Sequence, residues 1–62
     1  MHYVIRAMTG KYVAYRNGER TYCDDQKNAR IFVDYQAAER EIRGGDDEII
    51  LTVGDDGCIR DN

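Results

Sequence analysis

Turn-forming residues interrupt this chain so often that only short secondary-structure elements fit between them. Gly10, the pair Asn17-Gly18 and the stretch "GDDG" at 54–57 each favour a reversal of chain direction. Most of the segments between them alternate apolar and polar residues, or are rich in β-branched and aromatic residues, as strands are. The sequence therefore predicts short antiparallel strands over "HYVIRAM", "KYVAYR", "ERTYC", "RIFV", "EIILTV" and "CIR".

One segment has a helical period instead. The stretch "YQAAEREIR" consists of helix formers, and Tyr35, Ala38 and Ile42 fall on one stripe of a helix. Asp34 precedes it as a favourable N-cap. The expected fold is α+β: a small antiparallel sheet of about four to five short strands, with one helix (residues 35–43) packed on one face.

The chain is short for a domain that folds alone. Its 62 residues predict a single domain, residues 1–62, close to the lower limit of independent stability. A structural zinc site needs four ligands, and Cys23, Cys58 and His2 supply three. We see no secretory signal and no run long enough to span a bilayer. We therefore expect a soluble, cytoplasmic protein with reduced cysteines, no metal and no cofactor.

The helix stripe should pack on the inner face of the sheet. The residues expected to be mostly buried there are Ile5, Phe32, Tyr35, Ile42 and Leu51. One short helix covers one face, so strand alternation should leave apolar residues on the other. The residues predicted to be exposed on that outer face are Val4, Met8, Val13, Tyr15 and Ile50. Such a patch usually marks an interface, so we expect a homodimer or a target protein that covers the patch. The alternative is that a strand bends or a loop folds over this face.

Charge is unevenly distributed along the chain. Residues 1–22 carry four basic residues against one acidic residue, whereas residues 23–62 carry five against eleven, and the net charge is −3. The basic N-terminal part interleaves arginine and lysine with tyrosine, a composition that can bind single-stranded nucleic acid by stacking. The negative net charge opposes this, so direct nucleic-acid binding is not expected.

Two aspartate pairs flank the strand "EIILTV". Asp46-Asp47 precede it and Asp55-Asp56 follow it, which separates the pairs by about 20 Å along the strand. That distance excludes one shared metal ion, and neither pair has the spacing of a calcium loop. The remaining interpretations are solvated turn residues and an acidic patch that docks on a basic protein surface.

Catalytic chemistry finds little support in the sequence. The chain has no serine, and its one histidine, His2, has no evident third group to orient it beside a cysteine. A domain of this size seldom encloses a pocket of about 300 Å³. We expect that the protein is not an enzyme.

The frame "YVIR…GKYVAY…ARIFVDYQAAEREI" resembles small proteins encoded by bacteriophages and other mobile elements. Those proteins share a "YVI…GKYL" hairpin, followed by "A-R/K-x-F" leading into a helix. The matching residues are Tyr3, Val4, Ile5, Gly10, Lys11, Tyr12, Val13, Ala29, Arg30, Phe32, Ala38 and Glu39. The match covers roughly residues 3–42 and consists mostly of fold-bearing positions. The resemblance implies a host-directed accessory protein, and some phage proteins of similar size inhibit host defences, including anti-CRISPR proteins.

The favoured function is therefore a non-enzymatic phage-type protein that binds and inhibits a host protein with a basic surface. The alternatives are a structural or regulatory homo-oligomer and, third, single-stranded nucleic-acid binding through the N-terminal hairpin. The resemblance does not cover the acidic C-terminal part, so it assigns no functional residue. The expected partner-binding residues are Asp46, Asp47, Glu48, Asp55, Asp56, Val13 and Tyr15. The fold should tolerate reversal of the first three to lysine, because they lie in a turn and at a strand start.

Overall fold

The computed structural model describes residues 2–42 and 47–60. Within these ranges one antiparallel sheet has the strand order β3-β2-β1-β4-β5. The strands are β1 (His2–Arg6), β2 (Tyr12–Arg16), β3 (Glu19–Cys23), β4 (Ile49–Val53) and β5 (Ile59–Arg60). A 3₁₀ turn, Gln26–Asn28, and one α-helix, α1 (Tyr35–Glu41), complete the described part. The predicted α+β fold, with a small antiparallel sheet and one helix, is confirmed.

The β2–β3 hairpin forms where the sequence predicts it. Asn17 and Gly18 both have positive φ, 55° and 81°. A two-residue hairpin turn of this type needs positive φ twice, and asparagine and glycine are the residues that adopt it at least cost. The strands pair in register from Tyr12 opposite Cys23 to Arg16 opposite Glu19.

Helix α1 also begins as predicted. The side chain of Asp34 accepts a hydrogen bond from the backbone N–H of Gln36 at 3.0 Å, which satisfies one of the free amide groups of the first turn. The helix ends at Glu41, two residues before the predicted end, because Ile42 is already extended with ψ of 134°. Gly44 and Gly45, which follow the predicted helix and favour its termination, lie outside the described residues.

A short extended segment is inserted between β1 and β2. These two strands pair at Arg6 and Tyr12 and then diverge. In the opening, the N–H of Arg30 donates to the carbonyl of Val13 at 2.9 Å. Phe32 exchanges two hydrogen bonds of 2.8 Å with Tyr3. The segment "RIFV" therefore does not form the predicted strand. It makes one β-bridge to β1 and one hydrogen bond to β2, and these contacts continue the hydrogen bonding of the sheet across the gap.

Both faces of the sheet carry a core. On the side of α1, the helix-side core contains Ile5, Val13, Phe32, Ala38 and Ile50. On the opposite side, the outer core contains Val4, Ala29, Leu51 and Val53. Ala29, which follows the 3₁₀ turn, packs over the outer face, and Phe32 packs over the helix-side face. Since successive residues of an extended segment point to opposite faces, the inserted segment contributes to both cores.

This arrangement corrects the predicted exposed patch. Val4 and Val13 are fully buried and Ile50 is 9% exposed, whereas Met8 is 80% exposed as expected. Tyr15 is half-buried. The assignment of faces was wrong for β2 and β4: Ile50 lies opposite Ile5 in the register and so shares the helix-side face. The chain itself covers the buried residues of the outer face, as the alternative expectation proposed. The homodimer stays a prediction, but the exposed apolar patch no longer supports it.

The predicted core is partly confirmed. Ile5, Phe32 and Leu51 are buried, with exposures of 0%, 4% and 1%, although Leu51 belongs to the outer core. Ile42 is half-buried against the helix-side core. The prediction for Tyr35 is wrong, because it is 44% exposed at the first turn of α1, where its ring packs edge-on against Tyr3 at 5.5 Å.

Candidate functional site

The turn between β4 and β5 presents two exposed carboxylates. Its conformation is fixed by two backbone hydrogen bonds of 2.9 Å, from Gly54 N–H to the carbonyl of Cys58 and from Gly57 N–H to the carbonyl of Gly54. Gly57 has φ of 81°, in the region that favours glycine. Asp55 and Asp56 are both exposed on this turn. We call Gly54–Cys58 the acidic turn.

A hydrogen bond within the acidic turn also stabilises the carboxylate of Asp56. Its Oδ1 accepts a hydrogen bond of 3.0 Å from the backbone N–H of Cys58. This bond stabilises the carboxylate form and lowers the pKa of Asp56 below its ordinary value. Asp56 is therefore negatively charged at neutral pH, and its carboxylate has a defined orientation.

An open groove lies beside the acidic turn on the outer face of the sheet. Its narrower part, of about 180 Å³, has apolar walls from Ile31, Val53 and Ile59, with Lys27 at its edge. A wider part, of about 400 Å³, shares Ile31 and Val53 and is bordered by Asp55. We call these two parts together the outer groove. Apolar surface and an exposed carboxylate therefore adjoin each other at this place.

The helix-side face carries a different set of charges. Nη2 of Arg20 donates to both carboxylate oxygens of Glu48, at 2.6 and 2.7 Å, and the hydroxyl of Tyr22 donates to the same carboxylate at 2.6 Å. Nη1 of Arg20 reaches the backbone carbonyl of Glu41 at 3.2 Å, and the hydroxyl of Tyr15 donates to the Glu41 side chain at 2.5 Å. We call these five residues the polar network. It connects β2, β3, the end of α1 and the residue before β4.

The polar network is internal to the fold. The side chain of Glu48 is fully buried, and that of Arg20 is 10% exposed. Burial disfavours the charged guanidinium, but the hydrogen bond and charge of Glu48 outweigh it and raise the pKa of Arg20 above its ordinary value. The hydrogen bond to Glu41 likewise raises the pKa of Tyr15. Arg20 and Glu48 therefore pair with each other within the fold rather than face a partner.

The structure therefore separates the predicted partner-binding residues into groups. Asp55 and Asp56 lie together on the acidic turn. Asp47 is exposed at the other end of β4, about 20 Å away along the strand, with φ of 49°. Asp46 lies outside the described residues. The structure does not bring Asp47 into the same patch as the acidic turn.

Three of the other predicted residues do not offer a free surface. The expectation that Glu48 belongs to an exposed acidic patch is wrong, because its side chain is buried against Arg20. Val13 is buried in the helix-side core. The hydroxyl of Tyr15 is bound by Glu41, and the guanidinium of Arg30 lies 4.3 Å from the centre of its ring.

The tyrosines proposed to stack on bases have contacts within the chain. Arg20 lies 5.6 Å from the ring centre of Tyr22, whose hydroxyl binds Glu48. Tyr3 packs edge-on against Tyr35. Tyr12 is half-buried against the outer core. A base that stacked on the face of the Tyr15 ring where Arg30 lies would have to displace that guanidinium, which weakens the nucleic-acid alternative.

The cysteines lie in different environments. Both are free thiols. Cys23 donates a hydrogen bond to the carbonyl of Asp25 at 3.2 Å, and burial raises the pKa of its thiol, which makes it a poorer nucleophile. Across residues 2–42 and 47–60, no three His, Cys, Asp or Glu side chains are grouped to hold a metal ion. No helix in the described ranges is long and apolar enough to cross a membrane.

Sequence reasoning found the acidic turn but missed the outer groove and the polar network. The groove depends on Ile31, which the pattern "RIFV" placed in a strand without indicating a face. The network joins residues that are up to 28 positions apart, so no local spacing reveals it. No protein-family model, curated protein or solved structure matches this chain.

Proposed function

We propose that this chain is a non-enzymatic binding protein that docks on a basic surface of another protein through the acidic turn and the outer groove. The role that we favour is inhibition of a host defence or nucleic-acid-processing protein, as the resemblance to phage-encoded proteins suggests. The observation that carries this proposal is the position of Asp55, which borders the same groove as Ile31 and Val53. An apolar centre with a charged rim is the usual anatomy of a protein interface.

Two physical properties of this surface favour binding. Asp55 and Asp56 concentrate negative charge on one turn, which accelerates association with a basic partner. The turn is already held by the hydrogen bonds of Gly54, Gly57 and Cys58, so little conformational entropy is lost when a partner binds. Burial of the exposed part of Ile31 would add a hydrophobic contribution of roughly 25 cal/mol for each Å² removed from water.

The proposal can be tested by capture of proteins from a bacterial lysate at low and at high salt. The immobilised protein is compared with Asp55→Lys and with Glu39→Lys, which makes the same change of charge at an exposed position of α1. We expect Asp55→Lys and high salt to release the captured partner, and Glu39→Lys to retain it. Capture that survives Asp55→Lys undiminished would contradict the proposal.

Inhibition is tested separately from binding. Once a partner has been captured and identified, its own activity is measured with increasing amounts of the wild-type protein and of Asp55→Lys. We expect inhibition by the wild-type protein and weaker inhibition by Asp55→Lys. If the partner's activity is unchanged at saturation, this chain binds the partner but does not inhibit it.

A further inference from the structure

We infer that the outer groove takes one aliphatic side chain from a basic segment of the partner, and that the acidic turn binds a cationic residue next to it. This inference rests on the proposed function and specifies the part of the partner that the surface fits. The partner segment is expected to contain an aliphatic residue next to an arginine or a lysine.

The size of the narrower part of the outer groove points to a single side chain there. The narrower part has a volume of about 180 Å³, below the roughly 300–1,000 Å³ of sites for small molecules. Its lining includes two residues of the outer core, Val4, which is fully buried, and Val53, which is 8% exposed. Ile31 is 48% exposed at its edge and can pack against an entering group. A branched aliphatic side chain matches this combination of small volume and apolar walls.

The charges around the groove predict the orientation in which the partner segment binds. Asp55 borders the wider part, and Asp56 is next to it on the acidic turn. Lys27 lines the narrower part and repels a cation there. A basic residue of the partner should therefore lie toward the acidic turn, where an arginine can donate to a carboxylate in its preferred planar geometry.

The first test is titration of the labelled protein with three capped tripeptides, followed by amide chemical shifts. The probes are Arg-Leu-Arg, Arg-Gly-Arg and Glu-Leu-Glu, each acetylated and amidated. We expect Arg-Leu-Arg to shift the amides of Ile31, Val53 and Gly57, with an affinity in the millimolar range. Arg-Gly-Arg should bind about tenfold more weakly because it lacks the aliphatic group, and Glu-Leu-Glu should bind more weakly still.

Variants assign each contribution to its residue. Ile31→Ser should weaken the binding of Arg-Leu-Arg about tenfold, while Val33→Ser, a change at a 75% exposed residue that does not line the groove, should leave it unchanged. Asp55→Asn should reduce the preference for Arg-Leu-Arg over Glu-Leu-Glu, while Glu39→Gln should preserve it. Asparagine is nearly isosteric with aspartate, so the change removes charge without altering the turn.

Two outcomes would overturn the inference. Equal binding of Arg-Leu-Arg and Arg-Gly-Arg would show that the groove takes no side chain, and an absence of shifts at the groove residues would show that it is not the site. Neither outcome affects the proposed function, which is contradicted by a different result, namely lysate capture that is insensitive to Asp55→Lys.

Discussion

The two faces of the sheet use negative charge in opposite ways. On the helix-side face, Glu48 is buried and binds Arg20 and Tyr22. On the outer face, Asp55 is exposed beside an apolar groove. Both residues flank β4, and the sequence alone assigns them to the same acidic patch.

The surroundings of an acidic residue, and not its residue type, decide what it does. Glu48 stabilises the chain because a guanidinium and a phenol occupy its hydrogen-bonding positions within the fold. Asp55 stands on a turn whose own backbone hydrogen bonds leave the carboxylate facing solvent. Loss of the Glu48 carboxylate should therefore lower stability, whereas loss of the Asp55 carboxylate should weaken binding.

The largest expected loss of stability comes from the helix-side core. Phe32→Ala removes a side chain that is 4% exposed and packs with Ile5 and Ala38, so the free energy of unfolding should fall by about 3–5 kcal/mol. Denaturant unfolding measures it. Val33→Ala, at the neighbouring exposed position, should stay within about 0.5 kcal/mol of the parent. A Phe32→Ala protein that unfolds like the parent would show that this core is not what holds the sheet and helix together.

The next largest effect should come from the polar network. Glu48→Gln keeps the shape of the side chain but leaves Arg20 charged and almost fully buried without a counter-ion, which should cost about 3 kcal/mol. The matched change Glu39→Gln, at an exposed helix position, should be nearly neutral. Equal denaturation midpoints for the two variants would contradict the claim that the buried carboxylate of Glu48 stabilises the fold. Reversal of Glu48 to lysine, expected from the sequence to be tolerated, should instead be destabilising, because it places a second cation beside Arg20.

Much of the fold was predictable because its signals are local. Asn17-Gly18 and the Asp34 cap specify their turn and helix start within a few residues. The faces of β2 and β4 were not predictable from alternation alone, since a shift of one residue in register inverts them and pairing with β1 sets that register. The same holds for the site. The acidic turn is contiguous in sequence, whereas the outer groove and the Arg20–Glu48 pair arise from distant segments.

A smaller effect should appear in the pH dependence of the two regions. The pKa of Tyr15 is raised by its hydrogen bond to Glu41, so this contribution to stability is present below the unfolded value of 10.0 and is lost as pH rises through the folded pKa. The pKa of Asp56 is lowered by the N–H of Cys58, so its contribution is present above 3.8 and is lost as pH falls through the folded pKa.

Titration of the two groups measures these shifts directly. The ring NMR signals of Tyr15 should titrate with a midpoint above 10.0 that returns toward this value in Glu41→Gln. The amide shift of Cys58 should titrate below 3.8. A Tyr15 midpoint unaffected by Glu41→Gln would contradict the assigned hydrogen bond.

The most direct test of the different roles of Asp55 and Glu48 is to measure how the Asp55→Asn and Glu48→Gln variants bind the partner. The measurement is made at a temperature at which both variants are folded. We predict that Asp55→Asn keeps the free energy of unfolding within about 0.5 kcal/mol and loses association. Glu48→Gln should be destabilised and yet retain association while it is folded. Retained association in Asp55→Asn, or its loss in folded Glu48→Gln, would contradict the account.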